Sequence, residues 1–183
     1  MNTIGEKVRS VTVIIGSARS DGNTAALVQH LSAQLGRQTM VCDLSKLTIK
    51  PFEYGRHDDR DDFRTVVAMM LQSDHIVFAT PVYWYSMSAA LKIFFDRLTD
   101  LLHDPNDRIS GRTLAGRNVW LIATGTDESL PPGFDVPFAQ TAGYFAMVWR
   151  QAFYGRSIKG EPLWPASLAE AEKLASLITA DNA

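Results

Sequence analysis

The feature that most limits how this chain can fold is a set of short, unbroken apolar runs, each followed by a polar loop. Val11-Thr-Val-Ile-Ile15, His75-Ile-Val-Phe-Ala-Thr80 and Asn118-Val-Trp-Leu-Ile-Ala123 are rich in β-branched and aromatic residues and lack the in-and-out alternation of a strand with one wet face. Strands buried on both faces read this way, and they belong to parallel sheets covered by helices. Residues 39–44 and 149–154 supply two further strand candidates.

Between these runs the period changes. Ala25, Leu27, Val28, Leu31 and Leu35 recur at helical spacing, and Gly36 stands where a helix would stop. Further helices are expected over 63–71, 88–102, 138–147 and 167–178, the last capped by Ser167. Pro81, unable to donate to a ladder, bounds the third strand. Strands alternating with helices predict an α/β doubly wound sandwich with a five-stranded parallel sheet in the order 2-1-3-4-5. Its strand order reverses between the first and third strands, which opens a crevice at their C-terminal ends. A chain of 183 residues suits a single domain spanning 1–183. Residues 45–62 form an unusually long connection without a period of their own, and loops of that length often carry function.

Composition removes several partners. Eighteen Lys and Arg against twenty Asp and Glu leave a net charge of -2 and no basic stripe, so nucleic acid is not expected. No apolar run approaches the roughly 20 residues of a membrane span, and residues 1–10 lack the apolar core of a secretion signal, so a cytoplasmic location is expected. Cys42 is the single cysteine, which denies the chain an internal disulfide or a cysteine-ligated cluster and points to core packing.

Three loops follow strands one, three and four at the same sheet edge. The first is Gly16-Ser-Ala-Arg-Ser-Asp-Gly-Asn-Thr24. The hydroxyls of Ser17, Ser20 and Thr24, the Asn23 amide and the free N–H groups of the following helix can converge on a phosphate, with Arg19 as a charged fork. Gly16 and Gly22 allow close backbone approach. No nucleoside-triphosphate or dinucleotide motif is present. An ordinary polar turn capping the helix through Asn23 or Thr24 is the plainer alternative.

The second loop holds Pro81 and Val82, then Tyr83, Trp84 and Tyr85 in succession, then Ser86 and Met87. Three adjacent aromatic residues are costly to expose, and a planar heteroaromatic ring would cover them. The competing reading is that they plug the core or an interface. Thr124, Gly125 and Thr126 in the third loop offer small hydroxyl groups around a glycine, and taken alone they fit a plain turn as well. Together the three loops describe a site for a mononucleotide carrying a flat ring.

Gly-Ser-x-Arg-x-x-Gly-Asn-Thr after the first strand, Thr-Pro-Val-Tyr-Trp-Tyr-Ser-Met-Ser after the third, and Leu91-Lys-x-Phe-Phe-Asp-Arg97 resemble the NAD(P)H-dependent FMN reductase branch of the flavodoxin-like proteins, from about Val11 to Tyr154. The resemblance implies that Ser17, Arg19, Ser20, Asn23 and Thr24 hold the FMN phosphate and that residues 81–87 line the isoalloxazine ring. It also implies a homodimer or homotetramer. Some relatives carry an iron–sulfur centre after the second strand, but residues 50–59 contain no cysteine.

His57, Asp58, Asp59, Asp61 and Asp62 lack the anchoring ligands of a metal site, so no metal is expected; a loop tip near Tyr54 reaching a neighbouring subunit's flavin is the better functional reading. His30, His75 and His103 have no matching acid or nucleophile, and no side chain is assigned as a catalytic acid or base. The helix over 88–102 has a wide apolar stripe on which Phe94 and Phe95 cannot share one direction, leaving one to face a partner, while Asp96 and Arg97 tether the helix end. The expected function is electron transfer from NAD(P)H through FMN to a small acceptor: a quinone, an azo or nitro compound, or free flavin. The alternative is a flavodoxin-type electron carrier, a class whose docking normally demands strong acidity that a charge of -2 does not provide.

Overall fold

The computed structural model describes residues 10–36, 38–54, 60–103 and 108–181. Five strands, β1 (Val11–Ile15), β2 (Thr39–Asp43), β3 (His75–Pro81), β4 (Asn118–Gly125) and β5 (Val148–Arg156), form one sheet in the order β2-β1-β3-β4-β5. Every pairing is parallel. The expected strand order is therefore the observed one.

Side chains on the central strands alternate between two buried layers, which is why their sequence shows no alternation. Ile14, Ile76, Phe78 and Leu121 point to one face, where α2 (Phe63–Leu71), α3 (Ala89–Arg97) and α6 (Val136–Tyr144) supply Met70, Leu91, Phe94 and Phe138. Val13, Ile15, Val77, Trp120 and Ile122 point to the other, against Leu27 and Leu31 of α1 (Asn23–Leu35) and Leu174 and Ile178 of α7 (Pro165–Ala180). Among the described residues no helix is long and apolar enough to cross a membrane.

Several boundaries differ from expectation. Pro81 is the last residue of β3, paired opposite Thr124, so it belongs to the strand it was expected to bound. It shares its side of the strand with Ala79, whose carbonyl already accepts Gly16 N–H, so the missing donor faces a neighbour that has run out. The helix expected over 88–102 breaks after Arg97, and α4 (Asp100–His103) restarts it. Leu98 and Leu101 stay buried across the break, so the apolar stripe conceals it. A short α5 (Arg108–Thr113) had no signal in the pattern. The last helix begins at Pro165, where a missing N–H costs nothing, and Ser167 donates to the Arg156 carbonyl at 2.6 Å and does not cap. Phe94 is buried against Phe63 at 5.6 Å, while Phe95 meets Phe78 at 4.9 Å and stays partly exposed.

Arg97 holds the long connection between β2 and α2. Its side chain, 7% exposed, pairs with the Asp61 carboxylate, itself 1% exposed, and with Asp100 at 2.6 Å. It also donates to the Lys50 carbonyl at 3.1 Å and lies 4.7 Å from the centre of the Phe63 ring. Asp61 accepts N–H bonds from Lys50 and Phe63, and Asp62 accepts one from Thr48. These two aspartates therefore close the base of the connection, although their sequence context suggested solvated charges; His57, Asp58 and Asp59 lie outside the described residues. Burial pushes the Asp61 carboxyl up, but the Lys50 N–H, the Arg97 guanidinium and the Phe63 N–H outweigh it and hold the group below its usual 3.8.

A carboxyl lowered on folding contributes stability above its unfolded value, near 3.9, and loses that contribution as pH falls through the folded value. Arg97→Met leaves two buried carboxylates without their cation and should lower unfolding free energy by about 3–5 kcal/mol at neutral pH. Urea unfolding at pH 7 and pH 3 should show the wild type weakening below about pH 4 and the variant responding less. A loss under about 1 kcal/mol at pH 7 would contradict the buried-clamp role.

Candidate functional site

The β1–α1 loop can lie close to α3 because Gly16 has no side chain: a Cβ there would come within 2.4 Å of Leu91 Cβ. Helix α1 then starts at Asn23 with Gly22 at the cap position and no side-chain cap, which leaves its first-turn N–H groups open to an anion. Arg19 folds back over Gly22, where an added Cβ would sit 3.3 Å from its terminal nitrogen. Asn23 and Thr24 do not cap the helix. The Asn23 amide donates to the Ile158 carbonyl at 3.1 Å, and the Thr24 hydroxyl meets that of Thr124 at 2.6 Å, both buried.

The loop after β3 turns back on itself. Tyr83 and Ser86 exchange backbone hydrogen bonds of 2.9 and 3.0 Å around Trp84 (φ 48°) and Tyr85 (φ 62°). Two consecutive left-handed residues in a two-residue connection make a type I′ turn, a position normally filled by Asn-Gly. Here it holds two bulky aromatic residues, 93% and 73% exposed. Strain of this kind persists where a site needs the conformation. Below the turn, Thr80 accepts the Ser88 N–H at 3.1 Å and the Ser88 side chain caps α3 through Leu91 N–H.

The loop after β4 is locked from both sides. Val82 N–H donates to the Thr124 carbonyl at 2.7 Å, Arg156 Nε donates to the Thr126 carbonyl at 3.1 Å, and the Tyr154 hydroxyl donates to the Asp127 carbonyl at 2.9 Å. Burial, followed by the Asp127 charge, pushes the Tyr154 phenol up, so it stays a donor at neutral pH. Gly125 has to be a glycine for this fit, since a Cβ would approach the Tyr154 oxygen to 2.8 Å.

These loops enclose a crevice of about 320 Å³ at the C-terminal ends of the strands. Ser17, Arg19, Gly22, Asn23 and Thr24 line it from the first loop, Pro81, Val82 and Tyr83 from the second, and Thr124, Gly125 and Thr126 from the third. Trp84, Tyr85 and Ser86 are exposed beyond it, and Met87 is buried in the core. Ser20 lies elsewhere: with Asp21 it faces a larger cleft of about 710 Å³ between α1, β2 and α2. That cleft also reaches Cys42, whose thiol is raised to about 11, first by burial and then by Asp43 and Asp62, and which is therefore unreactive at neutral pH. The smaller crevice is the candidate site because an open helix N-terminus, a guanidinium and hydroxyl groups converge on it.

Two lining residues, Ser157 and Lys159, escaped the sequence reading. They follow β5, whose loop opens at the same sheet edge, and strand order was the available signal. Among the described residues no three His, Cys, Asp or Glu side chains gather as metal ligands. His30 pairs with Glu172 at 3.0 Å, and buried His75 accepts from the Trp120 indole at 3.2 Å.

Residues 9–130 match a family model described as NADPH-dependent FMN reductase. Over 156 residues the chain is 33% identical to a putative NAD(P)H-dependent FMN-containing oxidoreductase, YwqN, of Bacillus subtilis (strain 168), covering 82% of this chain and 81% of that protein. The fold is similar to that of the Trp repressor binding protein from Bacillus subtilis, with TM-score 0.74 and 26% identity over 90% of this chain and 99% of that one. It is also similar to general stress protein 14 from Treponema denticola in complex with FMN, with TM-score 0.61 and 18% identity over 95% and 97% of the two chains.

The aromatic turn yields a stability prediction. Tyr85→Gly should relieve about 1–2 kcal/mol of left-handed strain against an entropic cost of up to about 1 kcal/mol, for a net gain of about 0.5–1 kcal/mol. Urea unfolding measures this, and a loss of stability would show that Tyr85 contributes packing which its exposure does not suggest.

Proposed function

The chain belongs to the NADPH-dependent FMN reductase family, and on that premise we propose that it is an oxidoreductase of one domain, residues 1–183, passing electrons from NAD(P)H through FMN in the strand-end crevice to a small acceptor. The observation that carries this reading is the uncapped start of α1 under the Arg19 guanidinium, opening directly beside an aromatic turn held in a left-handed conformation. Phosphate chemistry and flat-ring chemistry meet in one crevice. The donor set fits the cofactor: hydroxyl, amide, guanidinium and backbone N–H groups for an anion, and aromatic surface for a ring.

When bound, FMN supplies the two-electron chemistry that amino-acid side chains lack. The residues of this chain bind and orient it. Ser17, Arg19, Asn23 and Thr24 would hold the phosphate, with Ser20 held back by its place in the neighbouring cleft. Pro81, Val82 and Tyr83 would carry one side of the ring, Trp84, Tyr85 and Ser86 shape the turn that bounds it, and Met87 follows that turn into the core. Thr124, Gly125 and Thr126 would present hydroxyl and N–H groups to its polar edge, in a loop stiffened by Tyr154 and Arg156. The Thr24–Thr124 hydrogen bond keeps the phosphate wall and the ring wall in register.

Quinones, azo and nitro compounds, and free flavin are the acceptors this reading favours, because each is a flat or conjugated molecule suited to an open aromatic rim. Exposure of Trp84 and Tyr85 supports assembly as a homodimer or homotetramer that would cover them. A net charge of -2 favours the reductase over an electron carrier that docks by strong acidity.

The test is anaerobic mixing of the FMN-loaded protein with NADPH and with NADH in a stopped-flow instrument. Bleaching of the yellow colour by at least one of them within seconds, followed by reoxidation with a quinone, is the expected result. Flavin that stays oxidised with both would favour the carrier. No acid or base side chain is assigned to the transfer, so Asp127→Asn and Glu128→Gln should keep most of the reduction rate. Both are exposed, and acid–base help of about 10²–10⁴-fold would betray itself as a loss of that size.

A further inference from the structure

The crevice has a fourth wall, built by the turn after β5. Ile158, Lys159, Gly160 and Glu161 form a tight turn closed by Glu161 N–H on the Ile158 carbonyl at 3.1 Å, with Gly160 at φ 86°, the left-handed position of a type II turn. Its leading edge is tied to both other sides of the crevice. The Asn23 amide of the first loop donates to the Ile158 carbonyl, and Ser157 N–H, in a buried residue, donates to the Gly125 carbonyl at 2.8 Å. Lys159 lines the crevice together with Arg19.

Charge gives this placement its meaning. In a chain with a net charge of -2, the crevice lining among the described residues contains two cations, Arg19 and Lys159, and no carboxylate. The neighbouring cleft, by contrast, sets Asp21 and Asp43 against the cation Lys46. A phosphate monoester carries about -1.5 to -2 charges at pH 7, which one guanidinium leaves partly uncompensated.

We propose that Lys159 is the second cation of the FMN phosphate site, delivered by the β5 turn and positioned by the Asn23–Ile158 and Ser157–Gly125 hydrogen bonds. This rests on the reading of the crevice as an FMN site. Arg19 supplies a planar fork and Lys159 a point charge on a flexible stem, so the two together grip a tetrahedral dianion.

The experiment titrates apoprotein with FMN and with riboflavin, by quenching of flavin fluorescence, for the wild type, Lys159→Ala, Lys159→Arg and Arg19→Ala. Lys159→Ala should weaken FMN about tenfold while leaving riboflavin unchanged, and should flatten the salt dependence of FMN affinity. Lys159→Arg should restore most of the affinity, and Arg19→Ala should show a loss of the same kind. An FMN affinity within twofold of wild type in Lys159→Ala would overturn the proposal, as would equal weakening of both flavins, which marks a merely structural residue. If the alanine variant instead lost NADPH selectively over NADH with FMN binding intact, the lysine would serve the dinucleotide's phosphate and this assignment would fall. A wild type that fails to prefer FMN over riboflavin would instead bring down the crevice reading itself.

Discussion

The structure depends on one topological constraint. β1 and β3 are neighbours in a sheet buried on both faces, yet the helix after β1 packs on one face and the helix after β3 on the other. Their connecting loops must part, and the gap between them lies at the C-terminal ends of the strands, where backbone N–H groups of α1 are left without partners. The remaining features of the crevice adapt to that gap. Gly16 lets the first loop sit against Leu91, Gly125 lets the third loop pass under Tyr154, and the Thr24–Thr124 hydrogen bond spans the two sides.

The energetics divide between fold and site. Where the chain supports structure it uses paired, buried groups: Arg97 between Asp61 and Asp100, and Thr12 bonded to Ser73 at 2.5 Å. Where it builds the crevice it accepts strain and open donors, with Trp84 and Tyr85 in left-handed conformations and α1 uncapped. A sequence under selection for stability alone would place Asn-Gly in that turn and Ser or Asp at the cap.

Much of this was legible from residue pattern, for physical reasons. Two-sided burial leaves continuous apolar runs, so Val11–Ile15 and its counterparts identified a parallel sheet covered on both faces, and polar loops after those runs identified the crevice edge. What depends on long-range partners was not legible. Nothing local distinguishes Asp61, buried against Arg97 thirty-six positions away, from solvated aspartates. The direction of a loop side chain is equally hidden: Ser20 turns to the neighbouring cleft while Ser17, three residues earlier, lines the crevice. Lys159 has the local sequence of any surface lysine, and its place at the crevice depends on the β5 turn being tied to Asn23 and Gly125. The break after Arg97 leaves no mark in the sequence pattern because the apolar stripe continues across it.

The central claim is that the crevice is a phosphate-dependent site for one flavin mononucleotide per chain. Isothermal titration of the apoprotein at moderate salt with FMN, riboflavin and inorganic phosphate tests it most directly. One FMN should bind per chain, with riboflavin at least about 100-fold weaker because the charged hydrogen bonds at α1 are lost, and phosphate should compete with FMN at high concentration. Equal affinity for FMN and riboflavin, or FMN binding that phosphate does not disturb, would contradict it.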